Sequence, residues 1–495
     1  MSDLHRQWLL GSIHRHAVEN PQSPAVIHGD VEVGYAELWG LACVVAQDLR
    51  SVDVRPGDIV GVIAERGLPF IAASLGCWLV GAAYLPIDLS SPALRTRAVA
   101  ADSRMAAVLA SPGVPGAGDL GRPVVAIPDL ADGRWAQAAM PDADVPPGAA
   151  AYVIYTSGTS GTPKGVVVGF ESLVNLIRWH LRAYEVVPSD RALHTAGLGF
   201  DAAVWELWPY LSAGAAVVCC PDDVRTVAYF VADELVDRRC TLAFLSTAVA
   251  EELLSLDLDF PDLRLLLTGG DVLHLAKPAP TAYRLVNHYG PTEATVVTTA
   301  YEVPPGADPA LPPIGAAIDG VELVLCDEAG CRVPDGTPGE LHIGGAGLAL
   351  GYLRDPALTA RRFVSLPDLP GRWYRTGDLA VSRDGTLEFL GRVDAEQLKV
   401  HGIRVEAAEI EAALMACVGV RGAAVTMSRQ GPDSVLVAVV TGGGELSSAL
   451  LRKALADRLP SALIPNHIFA VERLPLTANG KIDRRAITAL AAEAL

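Results

Sequence analysis

Ala151-Tyr152-Val153-Ile154-Tyr155-Thr156-Ser157-Gly158-Thr159-Ser160-Gly161-Thr162-Pro163-Lys164-Gly165-Val166-Val167-Val168 is the stretch on which the reading of this chain turns. An apolar run of strand length feeds a loop of glycines and hydroxyls, and three valines then restore strand character. Gly158, Gly161 and Gly165 let the backbone turn tightly and aim N–H groups at one anion. The hydroxyls of Thr156, Ser157, Thr159 and Ser160 add donors, and Lys164 adds a mobile charge. This is chemistry for holding a polyphosphate. It is not a Walker A loop, because no Gly-Lys stands at the required offset after Gly158. A strand rather than a helix follows, so a helix dipole is not the binding device.

Working outward, strand-length apolar runs alternate with helix-length stretches. Residues 58–63 predict a strand, and 68–80 predict a buried helix with Pro69 near its start. This β–helix–β grammar predicts an α/β fold with covered, mainly parallel sheets. Residues 111–149 are rich in Pro, Gly, Ala and Asp and predict surface connection, with 124–127 the exception. A hairpin is expected at Arg383-Asp384-Gly385-Thr386. Beyond it come about a hundred residues with a tighter pattern: helix at 405–417, strand at 434–440, helix at 447–459. The division expected is a large N-terminal domain, 1–393, with a small barrel-like part, and a small mobile α+β C-terminal domain, 394–495.

The chain has 495 residues, enough for two to four domains at ~150 each. Thirty-nine Lys and Arg against 57 Asp and Glu leave a net charge of −18, which argues against nucleic acid or an anionic membrane as partner. At 51% apolar and 19% charged residues, a large core forms and wholesale disorder is excluded. No apolar run reaches membrane-spanning length, and the first residues lack a secretory core, so a cytoplasmic protein is expected. None of the eight cysteines forms a CxxC pair, and buried, reduced thiols are expected.

The Thr156–Gly165 segment resembles the nucleotide loop of the adenylate-forming superfamily, which includes adenylation domains of nonribosomal peptide synthetases, acyl-CoA synthetases and luciferases. Further matches run in family order along almost the whole chain. They are Val33-Gly34-Tyr35-Ala36-Glu37-Leu38, Gly81-Ala82-Ala83-Tyr84-Leu85-Pro86-Ile87-Asp88, Phe200-Asp201-Ala202-Ala203-Val204-Trp205-Glu206, Asn287-His288-Tyr289-Gly290-Pro291-Thr292-Glu293, Gly339-Glu340-Leu341, Tyr374-Arg375-Thr376-Gly377-Asp378 and Asn479-Gly480-Lys481-Ile482-Asp483-Arg484. The amino-acid-activating branch is the most similar.

That resemblance implies attack of a carboxylate on the α-phosphate of ATP, giving an acyl-adenylate and pyrophosphate. It implies that Glu293 binds Mg²⁺, Thr292 hydrogen-bonds the reacting phosphate region, and Lys164 and the loop (Thr156, Ser157, Gly158, Thr159) hold phosphates. Tyr289 would offer an aromatic face beside the base and Asn287 an amide for its edge. Asp378 would accept from both ribose hydroxyls, with Arg392 adding donors to ribose or phosphate. Lys481, an ordinary turn lysine on its residues alone, would bridge carboxylate and α-phosphate. Asp394 would be the hinge of the small domain. Here the chain departs from the family pattern: Gly391-Arg392-Val393-Asp394-Ala395-Glu396-Gln397-Leu398-Lys399 is one residue longer. Gly169-Phe170 also stands where many relatives carry a histidine.

Asp201 reports on substrate class. From the residues alone it reads equally as a helix N-cap. By resemblance it pairs with an α-ammonium, which relatives that activate fatty or aryl acids do not need. The rest of the pocket by motif register is Ala202, Trp205, Phe244, Leu267, Gly269, His288, Val296 and Val297. His288 is expected to be neutral lining. The set is similar to pockets that accept leucine, with His288 in place of an Asn; its bulk also allows alanine, serine or glycine alone. A free-standing enzyme is expected that loads an aliphatic L-amino acid onto the phosphopantetheine arm of a separate carrier protein. The competing readings are an acyl- or aryl-CoA ligase and an inactive ATP-binding scaffold.

Overall fold

The apolar run before the loop forms the strand Ala150–Thr156, and Lys164–Gly169 forms the strand after it. Both belong to a seven-stranded sheet in the order Gly351–Tyr352, Lys164–Gly169, Ala150–Thr156, Ala83–Pro86, Ile59–Ile63, Ala107–Ala110, Val124–Ala126. A nine-stranded sheet runs Ala316–Ala317, Thr299–Val303, Arg284–Tyr289, Leu265–Gly269, Leu242–Ser246, Arg191–His194, Ala216–Cys219, Pro24–His28, Val31–Gly34. Its central pairings are parallel and its flanking ones antiparallel. A third, five-stranded sheet contains Val321–Cys326, Gly339–Gly345, Phe363–Leu366, Leu369–Arg383 and Thr386–Arg392. The fold is a mixed α/β one with a large N-terminal part and a smaller C-terminal one. This is a computed structural model; it describes residues 2–495 apart from 141–142, 144, 147, 157–162, 257, 309, 394–396, 401–402, 431–432, 443–445, 472 and 476–483.

The chain divides into two compact units. One holds residues 1–89, 103–154 and 166–391; the other holds 90–102, 155–165 and 392–495. In the first, helices Tyr35–Ser51, Leu68–Val80, Phe170–Ala183 and Asp201–Ala213 bury their apolar faces in one core shared with both large sheets. Leu68–Val80 forms because its residues are apolar on every side, as suits a wholly buried helix. Gly81 ends it in the left-handed conformation, at φ 85°. The aromatic centre is Trp78 on Trp208, with ring centroids 4.2 Å apart. At the hairpin, Asp384 and Gly385 both take positive φ, 51° and 79°, the requirement of a two-residue type I′ turn.

In the second unit, Val420–Gln430 and Asp433–Gly442 pair antiparallel, and His467–Ala470 adds in parallel. Helices Ala407–Met415 and Ser448–Ala456 pack on this sheet through Ile410, Leu414, Leu451 and Leu455. The helix expected at 405–417 is shorter. Ile403–Glu406 is instead a strand paired with Gln397–Val400, and helix begins only at Ala407. β-branched Ile403 and Val405 favour the extended pairing, and the alanines favour helix. Among the described residues of 111–149 there are one short strand and three short 3₁₀ turns, as connection requires. Cys331 is exposed, against expectation, because it stands at a surface turn closed by Asp327; the other seven cysteines are buried, and all eight are free. Among the described residues no helix is long and apolar enough to cross a membrane.

Candidate active site

Side chains of a strand point alternately to opposite faces. Along Arg284–Tyr289 this separates Val286 and His288 from Asn287 and Tyr289. Parallel pairing then gathers distant residues into rows. Phe244 lies beside Leu267, and Leu267 beside Val286; two residues on, Ser246 lies beside Gly269, and Gly269 beside His288. Phe244, Leu267, Gly269 and His288 therefore share one face. A Cβ on Gly269 would stand 2.7 Å from the His288 carbonyl oxygen, so this close approach requires glycine.

The helix Asp201–Ala213 supplies the opposite wall. Asp201 and Trp205 are four residues apart and share a helix face. Phe200, not Asp201, occupies the N-cap position; Asp201 is the first helical residue, and its carboxyl accepts from the backbone N–H groups of Ala202 and of Asp201 itself. Its carboxyl accepts a hydrogen bond from the Thr292 hydroxyl. Burial holds it above the ordinary carboxylate range, the Thr292 bond opposes this, and the nearby Glu293 charge adds to it. Glu206, further along the helix, fastens the approach to it, accepting from the N–H groups of Thr195 at 3.0 Å and Ala196 at 2.8 Å. Burial pushes Glu206 up to about 8, with those N–H bonds and Arg66 opposing.

Around the pocket, Trp205 contacts Phe244 and His288, with ring centroids 5.3 Å and 4.9 Å away. His288 Nδ1 lies 3.1 Å from the Thr268 carbonyl and Nε2 lies 2.5 Å from the Tyr184 hydroxyl. Burial pushes this imidazole down to about 3, while the carbonyls of Thr268 and Val286 pull the other way, which favours the neutral ring. Ala202 is half-buried, and Leu267 and Val297 are buried. Val296 holds φ 67°, a costly backbone for a β-branched residue, next to Thr295 at 56°.

Glu293 sits in the 3₁₀ turn Thr292–Ala294 and is 1% exposed. Its Oε1 accepts from the Tyr352 hydroxyl at 2.6 Å. Among the described residues no cluster of three His, Cys, Asp or Glu forms a cage for a metal. A single carboxylate is the donor set that suits Mg²⁺ held mostly by phosphate oxygens and water. Asp378 is buried, and its Oδ2 accepts from the Tyr289 hydroxyl at 2.5 Å. The Asn287 amide donates to the Pro313 carbonyl at 2.9 Å, while its Oδ1 is buried with no partner among the described residues. An orphaned acceptor of that kind fits an amino group at the edge of a base.

The first unit thus holds Asn287, Tyr289, Thr292, Glu293 and Asp378 together with Asp201, Trp205, Phe244, Leu267, Gly269 and His288. Thr156, half-buried, Lys164, buried, and Arg392, half-buried, belong to the second unit. Ser157, Gly158, Thr159, Asp394 and Lys481 lie outside the described residues. Tyr352, Tyr184 and His180 were missed. No motif marks them; the only local signal is that His180 and Tyr184 stand four apart at the end of an amphipathic helix.

The chain belongs to the AMP-binding enzyme family, matching it over residues 13–353 and the AMP-binding enzyme C-terminal domain over 409–481. It is 40% identical to a linear gramicidin synthase of Brevibacillus parabrevis over 96% of its own length, and 40% identical to bacitracin synthase 1 of Bacillus licheniformis over 94%. It spans only about a tenth of either relative, 10% and 9%. Among solved structures it is similar to holo-PA1221, an NRPS protein containing adenylation and PCP domains bound to a vinylsulfonamide inhibitor. The TM-score is 0.81 at 29% identity, covering 97% of this chain and 83% of that one. The chain is thus related to adenylation domains of nonribosomal peptide synthetases, within the superfamily that includes acyl-CoA synthetases, a family that uses ATP.

Proposed function

We propose that this chain activates a small or medium aliphatic L-amino acid, leucine-like or one of alanine, serine and glycine. The observation that carries this is Asp201: a half-buried carboxyl that desolvation holds above its ordinary range, on the helix face that also carries Trp205, which packs on Phe244 and His288. A buried carboxylate is costly unless paired, and an α-ammonium supplies the partner. The substrate carboxylate oxygen attacks the α-phosphorus of ATP, the bond to the β-phosphate breaks, and pyrophosphate leaves with its electrons. Catalysis of this kind is mostly positioning and charge neutralisation.

In this reading Asn287 takes the base edge, Tyr289 the base face and Asp378 the ribose hydroxyls. Thr292, whose hydroxyl donates to Asp201, would turn that one proton to the reacting phosphate once the α-ammonium takes its place on Asp201. Glu293, oriented by Tyr352, would hold Mg²⁺, which supplies positive charge to the phosphates. Lys164, Arg392 and Thr156, with Ser157, Gly158 and Thr159, would gather the phosphates, and Lys481 would meet the charge that builds at the α-phosphate. Asp394 would be the hinge. The aminoacyl group then passes to the phosphopantetheine thiol of a carrier protein: sulfur attacks the carbonyl carbon and AMP leaves. Amino-acid-dependent ATP–pyrophosphate exchange across the twenty L-amino acids tests the first step. Exchange with leucine or a small aliphatic residue is expected; exchange only with acids that lack an amine would overturn it.

A further inference from the structure

We infer that Tyr184 and His180 are positioning residues that set the selectivity of the acid pocket, by using up the polar atoms of the two pocket residues that carry them. Neither belongs to the pocket by motif register. Both come from the C-terminal end of the helix Phe170–Ala183, with Tyr184 the residue immediately after it, and both are buried.

The hydrogen bonds settle which nitrogen carries each proton. A carbonyl only accepts, so His288 Nδ1, 3.1 Å from the Thr268 carbonyl, bears the hydrogen. Nε2 of the neutral ring is then a lone pair, and the Tyr184 hydroxyl at 2.5 Å donates to it. An indole N–H only donates, so Trp205 Nε1 gives its hydrogen to His180 Nδ1 at 2.8 Å. Both nitrogens of His288 and the one nitrogen of Trp205 are therefore committed away from the substrate. A wall built of histidine and tryptophan shows the pocket only carbon. An apolar side chain loses nothing there. A hydroxyl or amide buried against it finds no partner and carries the cost of an unmade hydrogen bond. Aliphatic preference, on this inference, comes from behind the wall. It rests on the amino-acid-activation reading above and narrows it, favouring leucine, alanine or glycine over serine.

Tyr184→Phe keeps the ring and removes the one oxygen that occupies His288 Nε2. The readout is the kcat/KM ratio within isosteric pairs, threonine over valine and asparagine over leucine, by pyrophosphate exchange. The ratio of at least one pair is expected to rise about tenfold, because a free acceptor now faces a polar side chain or a water bound to it. His180→Asn, whose amide oxygen stands in for Nδ1 and also accepts from the indole, is expected to keep the wild-type ratios. A parallel fall for all amino acids in Tyr184→Phe, with ratios unchanged, would mean that the tyrosine only supports the fold, and the inference fails. Nitrogen NMR of the wild-type protein is independent of activity: it is expected to find His288 protonated on Nδ1 alone. A proton on Nε2 overturns the inference even if the enzyme works. Wild-type protein that exchanges with no amino acid removes the functional reading and this one with it. Normal exchange with unmoved ratios removes only this one.

Discussion

Tyr289→Phe isolates one atom of the proposed nucleotide site. The ring stays, so any stacking face is kept. What goes is the hydroxyl that donates to Asp378 Oδ2 at 2.5 Å. Asp378 is 4% exposed, so water cannot fully replace that donor. Hydrogen bonds to a charged group are worth about 1.5–3 kcal/mol, and partial relaxation argues for the lower end. At about 1.4 kcal/mol per factor of ten, that is roughly a tenfold to thirtyfold weaker grip on the ribose. The contact is made alike in ground and transition states, so KM for ATP should rise by that factor with kcat nearly unchanged. KM for the amino acid should not move. Saturation curves in each substrate, with the other held high, give all three numbers. An unchanged KM for ATP would refute the positioning of Asp378 by Tyr289. A lower KM would refute it differently, by showing that the tyrosine competes with the ribose for the carboxylate.

Two further perturbations test the frame around the site. Glu206 is pushed up to about 8 by burial, far above an unfolded glutamate near 4.5. Between those values the folded chain holds a proton that the unfolded chain has lost, so this group's contribution to stability falls as pH rises from about 4.5 to 8. The melting temperature of Glu206→Gln, relative to wild type, should therefore move in the variant's favour across that window, and a constant difference would contradict the burial argument. At Gly290 a Cβ would stand 2.2 Å from the Val296 carbonyl oxygen and 2.9 Å from the Thr298 nitrogen, both backbone atoms that cannot swing aside. Gly290→Ala should cost about 3 kcal/mol in chemical denaturation and displace the turn carrying Glu293, abolishing exchange; a fully active, equally stable variant would contradict it.

Much of this was legible because the chemistry is local. A loop of glycines and hydroxyls between two strands, or a buried acid in a Thr-Glu turn, is written in consecutive residues. The type I′ hairpin at Asp384-Gly385 is legible for the same reason. Pocket residues were reached only through resemblance, since the row Phe244–Leu267–Val286 exists only once parallel strands are paired in register. Tyr184, His180 and Tyr352 escaped because their roles are set by tertiary packing, and nothing in their own neighbourhoods requires a hydroxyl or an imidazole. The strand Ile403–Glu406 escaped because Val405 sits in a stretch whose apolar spacing also suits a helix. Pairing with Gln397–Val400 decided it.

The central claim is that Asp201 makes this an amino-acid enzyme. It is tested most directly by the ratio of kcat/KM for leucine over 4-methylpentanoate, the same acid without its amine, in wild type and in Asp201→Asn. If an aliphatic substrate other than leucine proves best, it and its own des-amino analogue take their place. Leaving a buried charge unpaired costs about 3–5 kcal/mol, so the wild-type ratio should exceed roughly a hundredfold. In Asp201→Asn it should collapse towards unity through loss of leucine activity. A large ratio that survives the substitution, or a wild-type enzyme indifferent to the amine, would contradict the account.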